Sequence, residues 1–550
     1  MSIDPPPLPR PPVVPHAAAG AMPGPATRRD AWQLAALLAL LALLAAVSLA
    51  RPLLPIDETR YASVAWEMWA RGDFLVPYRN GEPYHHKPPL LFWLMHAGWA
   101  VFGVNEWWPR LISPLFAGGT LWLTHRLGLR LWPQQPGVAR HAPYLLLSSL
   151  LFAYFATALM FDAMLSFFVA LGLLGLVQAW QQRGVRGFVC LGLGLGGALY
   201  AKGPVALLHL LPAALAAPWW ASAQPPPWRR WVAGVALALL GGAALILAWA
   251  IPAAIAGGPE YRNAIFWGQT AGRMASSFAH RAPWWFYLAW LPLMLLPWLL
   301  WPRLWRGLGP ARRDGVLAEP GSRLMLCVAG SALLAFSLIS GKRWHYLLPE
   351  FAAFALLAAR MALAAPPRPL DRRLPAAGLV LAGIAFALAA PRLRGMAGGA
   401  AWASIAAGGA LAAIGLLLLG RWRARDSGGD LRALAAAMVL AYAVGFGAAD
   451  ALLREPYDVA RTAAQLARYE AEDRPIGIVG DYHGQWHLAG RLRRPLHEVP
   501  HGGGAAWLAA HAQGRLIVVY KRDDELPADA RVDFLQPRYR GSRLAIVAPS

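Results

Sequence analysis

The sequence predicts an α-helical polytopic membrane protein of about thirteen transmembrane helices, followed by a small C-terminal α/β domain. Leu/Ala-rich runs of about twenty residues, the length that crosses a bilayer, recur between residues 31 and 450. The chain is 57% hydrophobic and only 15% charged, with a mean hydropathy of +0.39. Beyond about Glu455 the apolar runs shorten and acids, histidines and prolines return.

Residues 1–30, rich in proline and ending near Arg28 and Arg29, read as a disordered cytoplasmic tail. The run 31–50 is long for a signal peptide and lacks a cleavage site, so a retained span is expected. Further helices are expected near 109–130, 142–160, 163–181, 187–201, 204–221, 231–256, 284–302, 323–340, 345–364, 374–391, 398–420 and 431–449. With the N-terminus inside, the cytoplasmic links hold Arg126 to Arg140, Arg183 and Arg186, Arg229 and Arg230, Arg303 to Arg313, Arg368 to Arg373 and Arg421 to Arg425. Arg392 and Arg394 are the exception to this positive-inside pattern. The formal charge of +22 therefore follows from topology, and no nucleic-acid partner is expected.

An odd number of spans puts the C-terminus on the outer side, the periplasm in a Gram-negative-type cell. The expected organisation is a membrane domain over 31–450, with outer loops 51–108 and 257–283, and a periplasmic accessory domain over 451–550. There, 458–469 and 505–512 read as helices, and 476–479 and 516–520 as short buried strands. Cys190 and Cys327 both lie in apolar runs, so neither a disulfide framework nor a cysteine-ligated metal is expected.

The polar stretch from Asp57 to Leu91 follows the first span and belongs at a bilayer surface. As a helix its start puts Asp57, Arg60, Tyr61, Val64 and Met68 on one face. Asn80-Gly81 signals a turn, and Pro88-Pro89 hold Lys87 in an extended segment. Only four of the 51 basic residues are lysines: Lys87, Lys202, Lys342 and Lys521. The first three fall at the outer ends of spans beside Gly or Pro, where a compact ammonium suits a site better than a planar guanidinium. Chance retention under codon bias is the competing account of any one of them. Asp162 is an isolated carboxylate between two apolar runs, either a helix N-cap or a site acid. Asp57 and Glu58 read either as first-turn acids or as site acids. The loop 257–283 carries Arg262, Arg273, His280 and Arg281 at the depth of a lipid headgroup phosphate.

The run Asp57-Glu58-Thr59-Arg60-Tyr61, then Gly72-Asp73, Pro77, Asn80-Gly81 and Lys87-Pro88-Pro89-Leu90, resembles the bacterial GT-C membrane glycosyltransferases of the aminoarabinose (lipid A) transferase and protein mannosyltransferase superfamily. Asp162, Lys202-Gly203-Pro204, Ala279-His280-Arg281-Ala282-Pro283, Gly341-Lys342-Arg343 and Tyr346-Leu347-Leu348-Pro349 extend the likeness, which runs in order from about residue 31 to 365. The resemblance implies a polyprenyl-phosphate-linked sugar donor, undecaprenyl phosphate in bacteria, used at the outer face of the inner membrane. The acceptor it implies is lipid A, another glycolipid or a protein, among membrane lipids. One position departs from it: the aminoarabinose transferases usually carry an acid before the Lys-Pro-Pro element, and His86 stands there. An acid and the later-loop histidine have been associated with a divalent metal in that branch, which makes His86 and His280 the candidate ligands for zinc.

Chemistry assigns roles within this frame. A leaving phosphate needs preorganised cations at a water-poor surface, and Lys87 and Arg60 are expected there, with Arg273, Lys202 and Lys342 assisting. Asp57 is the first candidate for general base and Asp162 the second, with Glu58 beside them. Tyr61, Tyr84 and Tyr346 are the candidate substrate-binding phenols. No dedicated covalent nucleophile is present, so a single inverting displacement is expected. The alternatives are protein O-mannosylation and a transporter or flippase of a lipid-linked sugar. An enzyme requires Asp57, Lys87 and Asp162 around one cavity, and a transporter requires a polar path running inward.

Overall fold

The computed structural model describes residues 28–182, 184–272, 281–390, 401–420, 428–527 and 530–549. Residues 1–27 of the expected 1–30 tail, the candidates Arg273 and His280, and the arginines at 183, 392, 394, 421, 423 and 425 lie outside these residues, while residues 28–30, expected in the tail, open the first helix, Arg28–Ala50. The chain is a mostly helical, multi-pass membrane protein. Among the described residues eight helices are long and apolar enough to cross a bilayer, from Ala31–Ala50 to the stretch beginning at Gly429. Several expected spans are interrupted. The apolar stretch over 136–155 forms two helices, Pro136–Leu147 and Leu150–Phe155, parted at Ser148 and Ser149. Both serine hydroxyls donate back to carbonyls four residues earlier, Tyr144 and Leu145, competing with the helical ladder at the break.

Two antiparallel helices build the framework of the site. Asp162–Gln182 and Val185–Lys202 run side by side, and their contact is made by glycines. A Cβ added to Gly194 would lie 2.5 Å from the Gly172 nitrogen, and one on Gly175 or Gly187 would likewise run into facing backbone. Small residues are how helices approach closely in lipid, where no hydrophobic force drives them together. This hairpin returns Lys202, its last helical residue, to the level of Asp162, its first. The acid at the helix start and the base at the helix end also suit the two macrodipoles. Gly194→Val is therefore expected to destabilise the protein by about 1–3 kcal/mol through overpacking. Gly241→Ala, at a helical glycine with open space around its Cβ position, should leave the melting temperature unchanged.

At the same end of the bundle, the helix Asp57–Arg71 buries most of its length and stops at Gly72 in the left-handed region, φ +70°. It leads to a hairpin of β1 (Tyr78–Arg79) and β2 (Glu82–Pro83), turned at Asn80 and Gly81, both with positive φ. Glu67 holds that turn by accepting from the Asn80 and Gly81 amides at 2.6 and 3.0 Å. Between that helix and the hairpin, the Trp249 indole of the long helix Trp228–Ala256 donates to the Leu75 carbonyl at 2.9 Å, pinning the loop to a span.

After the helix Gly429–Tyr457, which runs without interruption through the expected boundary at 450, the chain forms a five-stranded sheet. Its strands are β3 (Ile476–Val479), β4 (His497–Val499), β5 (Arg515–Tyr520), β6 (Ala530–Tyr539) and β7 (Ser542–Pro549), in the spatial order β4-β3-β5-β7-β6. The first three are parallel, and β6 and β7 add as an antiparallel hairpin. The sheet docks on the 57–71 helix: the Trp66 indole donates to the Leu492 carbonyl at 2.7 Å, and Asn80 exchanges two hydrogen bonds with the Leu496 backbone at 2.9 and 2.8 Å.

Candidate active site

The centre of the site is Asp162, whose side chain is 2% exposed and paired to the Lys202 ammonium. An unpaired carboxylate in this environment would be very unfavourable, and the partner arrives from the far end of the glycine-packed hairpin. Two further cationic or titratable groups act on the same carboxylate: Lys87 and His345. Lys87 comes from the Lys-Pro-Pro segment, its ammonium 5.4 Å from the centre of the Phe161 ring. Tyr61 stands edge-on to the same ring at 4.9 Å. The Lys202 ammonium lies 4.9 Å over the Tyr346 ring, and His345 packs against Phe155 at 5.2 Å. Four separate segments thus converge on one carboxylate.

Asp57 and Arg60 flank this cluster. They form an ion pair one helical turn apart, with Asp57 48% exposed and Arg60 largely buried. Burial, together with the nearby Tyr84 and Asp57, raises the Tyr61 phenol above its usual range, so its hydroxyl stays protonated at neutral pH. Tyr84 is buried, and its ring lies 5.1 Å from that of His86.

Two expected site residues are placed differently. Glu58, expected among the reacting acids, is 5% exposed and accepts four hydrogen bonds: two from the Arg51 guanidinium at 2.5 and 2.6 Å, one from the Leu54 amide at 2.8 Å and one from the Leu159 amide at 2.9 Å. Both oxygens are occupied, so Glu58 ties the link after the first span to the turn that precedes Asp162. Lys342, expected at the donor phosphate, donates to the Ile339 and Ala282 carbonyls at 2.5 and 3.0 Å. It clasps the segment 281–283 to 339–343, beside the bridge between Arg281 and Gly341.

His345 was not anticipated. Its only sequence signal is its place as a polar residue in the Lys342-Arg343-Trp344-His345-Tyr346 stretch between two apolar runs. Among the described residues no three His, Cys, Asp or Glu side chains converge as a metal site. His86 lies beside Tyr84 and His85, and the second candidate ligand, His280, is outside the described residues.

The arrangement defines a class: a bundle of membrane helices with a buried acid and lysines gathered at one end, under a small sheet. Known proteins show what the chain is similar to. Residues 86–255 match the dolichyl-phosphate-mannose-protein mannosyltransferase family. The chain is 32% identical over 308 residues to undecaprenyl phosphate-alpha-4-amino-4-deoxy-L-arabinose arabinosyl transferase 2 of Pseudomonas fluorescens, a stretch covering 55% of this chain and 54% of that one. It is also 32% identical over 338 residues to the corresponding transferase of Pseudomonas aeruginosa, covering 60% and 59%. The aligned part thus spans little more than half the length of these curated relatives. The fold extends the match: the crystal structure of ArnT from Cupriavidus metallidurans bound to undecaprenyl phosphate superposes with a TM-score of 0.73 at 20% identity, over 94% of this chain and 98% of that one. The chain is thus similar in sequence to curated aminoarabinose transferases and to the mannosyltransferase family, and similar in fold to a solved aminoarabinose transferase.

Proposed function

We propose that this protein is an integral membrane glycosyltransferase that moves a sugar from undecaprenyl phosphate to an envelope acceptor, with lipid A the favoured acceptor and an amino-pentose the favoured sugar. The single observation that carries this reading is the convergence of Lys87, Lys202 and His345 on Asp162. The names of the sequence relatives supply the sugar and the carrier. Lys87 and Lys202 stabilise the phosphate that leaves as the anomeric bond breaks, with Arg60 and Arg273 assisting. Asp162 holds Lys202 in place and faces the oxocarbenium character of the sugar. Asp57, the exposed acid, orients the acceptor or takes its proton when the acceptor is a hydroxyl. An acceptor phosphate arrives ionised and needs no base. Tyr61, Tyr84 and Tyr346 line the sugar, and attack from the opposite face inverts the anomeric centre. Should the protein take a divalent metal such as zinc, His86 and His280 would be two of its ligands and the metal would supply Lewis-acid charge stabilisation.

In the membrane, we place the N-terminus inside and the site and the sheet in the periplasm, in the inner membrane. Thirteen spans result when the eight long helices are joined by Trp107–Leu131, Pro136–Leu147 with Leu150–Phe155, Leu207–Leu215 with Ala217–Trp220, Phe286–Met294 with Trp298–Leu300, and Pro369–Leu388. The helix after Gly203 counts separately because Gly203, at φ +71°, breaks its direction from the one before. The sheet-bearing residues after Tyr457 form the accessory domain.

The test is mass spectrometry of lipid A and surface glycans from a deletion strain, complemented with the wild-type chain. Loss of one sugar-sized increment from lipid A, restored by the wild type, is the expected result. An unchanged lipid A with a missing mass on an envelope protein would favour the mannosyltransferase reading.

A further inference from the structure

The loop after β3, Gly480-Asp481-Tyr482-His483-Gly484, leaves the sheet at the carboxyl end of its parallel strands, the edge where open α/β sheets receive ligands. It presses directly on the membrane domain. A Cβ on Gly484, which has φ +82°, would lie 2.5 Å from Ser63 Oγ and 3.8 Å from the Arg79 side chain. Within this seam the Nδ1 atom of His483 is buried and has no hydrogen-bond partner. The charged groups acting on the imidazole are Arg79, Arg60, Asp481 and Arg540, three guanidiniums against one local carboxylate. Arg60 is already paired to Asp57, whereas Arg79 and Arg540 enter no ion pair among the described residues.

Arg540 adds an independent observation. It occupies the first position of the two-residue turn between β6 and β7 at φ +52°, followed by Gly541 at φ +83°. Such turns favour Asn, Asp or Gly at that position, and a long side chain there is disfavoured by backbone sterics. An arginine held in that conformation, with its amide tied to the Pro456 carbonyl at 3.0 Å, points to a use for the guanidinium. The seam also adjoins the reacting cluster: the Arg79 guanidinium lies 6.0 Å over the Tyr84 ring, and Tyr84 neighbours Arg60 and Tyr61.

We propose that Arg79, His483 and Arg540, with Arg60 at their inner edge, form an anion site at the seam between the sheet and the 57–71 helix, and that it takes a phosphate monoester of the glycolipid acceptor. This rests on the glycosyltransferase reading for the identity of the ligand's source, while the anion site itself rests on the geometry. A phosphate monoester carries between one and two negative charges at neutral pH, and guanidinium forks from two domains match its oxygens. Binding there would fix the acceptor beside the carbohydrate while the carrier phosphate sits at Lys87 and Lys202. No covalent step takes place at the seam.

The experiment uses the purified full-length protein, the Arg79→Ala/Arg540→Ala variant and the Arg79→Lys/Arg540→Lys variant, each checked for an unchanged melting temperature. Affinities are measured for lipid A, for its phosphatase-treated form and for undecaprenyl phosphate. The alanine variant is expected to bind lipid A about tenfold more weakly. Its affinity for undecaprenyl phosphate should be unchanged, dephosphorylated lipid A should bind both proteins equally weakly, and the lysine variant should recover part of the loss. In transfer assays the acceptor KM rises while kcat stays within about twofold. Undiminished lipid A affinity in the alanine variant overturns the proposal, as does a loss confined to undecaprenyl phosphate, which would assign the site to the donor. Should the alanine variant fail to fold, equal lipid A affinity in the lysine variant and its phosphatase-treated control would overturn it as well. Arginine-dependent lipid A binding by a wild-type protein that neither binds undecaprenyl phosphate nor transfers sugar would leave the anion site standing and remove the transferase reading alone.

Discussion

Replacing Lys87 with alanine is expected to lower sugar transfer by about 10²–10³-fold, the range seen when one preorganised donor is removed from a developing anion. The ammonium reaches the centre from a segment stiffened by Pro88 and Pro89, so its position is set before substrate arrives. Its substitution removes charge without breaking a helix. Asp162→Asn is expected to have an effect of similar size for a different reason. The carboxylate holds the Lys202 ammonium, and neutralising it leaves that lysine without its buried partner. Lys202 then turns from the site, and the two substitutions together should cost far less than the product of their separate effects, because they disable one unit. Single-turnover transfer by purified protein, with each single variant and the double, measures this.

Glu58→Ala should destabilise the folded protein by about 3–5 kcal/mol, because it leaves the Arg51 guanidinium buried and unpaired. The amides of Leu54 and Leu159 lose their acceptor at once, and the Arg51 guanidinium loses its carboxylate, keeping the Pro52 carbonyl. The turn before Asp162 is then released, so transfer falls together with stability, whereas Lys87→Ala should leave the melting temperature unchanged. The pH dependence has a definite sign. Burial alone would raise the Glu58 carboxyl, but the Arg51 guanidinium and the Leu54 and Leu159 amides outweigh it and hold the group below the usual carboxylate range. A lowered folded value means that the stabilisation is complete above the unfolded carboxyl value of about 4.3 and is lost as the pH falls through the folded value. The stability difference between wild type and Glu58→Gln should therefore be constant from about pH 6 to 8 and shrink only in acid. Thermal unfolding across that range checks it.

The site was legible in the sequence where chemistry is local. The spacing from Asp57 to Tyr61, the prolines behind Lys87 and the isolation of Asp162 all mark positions that one segment determines, and the structure brings Lys87, Asp162 and Lys202 together at one end of the bundle. What was not legible depends on approach between distant segments. Nothing near Glu58 distinguishes it from the adjacent Asp57. One acid is buried by Arg51 and Leu159 arriving on its side, and the other is left at the surface. Lys342 was singled out by its residue type, yet two facing carbonyls decide what its ammonium does. The pairing of Asp162 with Lys202 rests on glycines in the hairpin between them, whose meaning emerges only when two helices touch. The β6–β7 hairpin was missed because Arg540-Gly541 is an unusual turn pair and the flanking strands are rich in charge. The interruption at Ser148 is hidden in the sequence because hydropathy averages over it, whereas the break at Gly203 falls where the expected helices 187–201 and 204–221 part.

The most direct test of the shared cluster is the affinity of the purified protein for undecaprenyl phosphate, with and without Lys87→Ala, at matched melting temperature. A fall of at least about tenfold is predicted, since a charge-assisted contact to the carrier phosphate is removed. An unchanged affinity would contradict the placement of the carrier phosphate at Lys87, and with it the assignment of this cluster as the point where the sugar leaves its lipid.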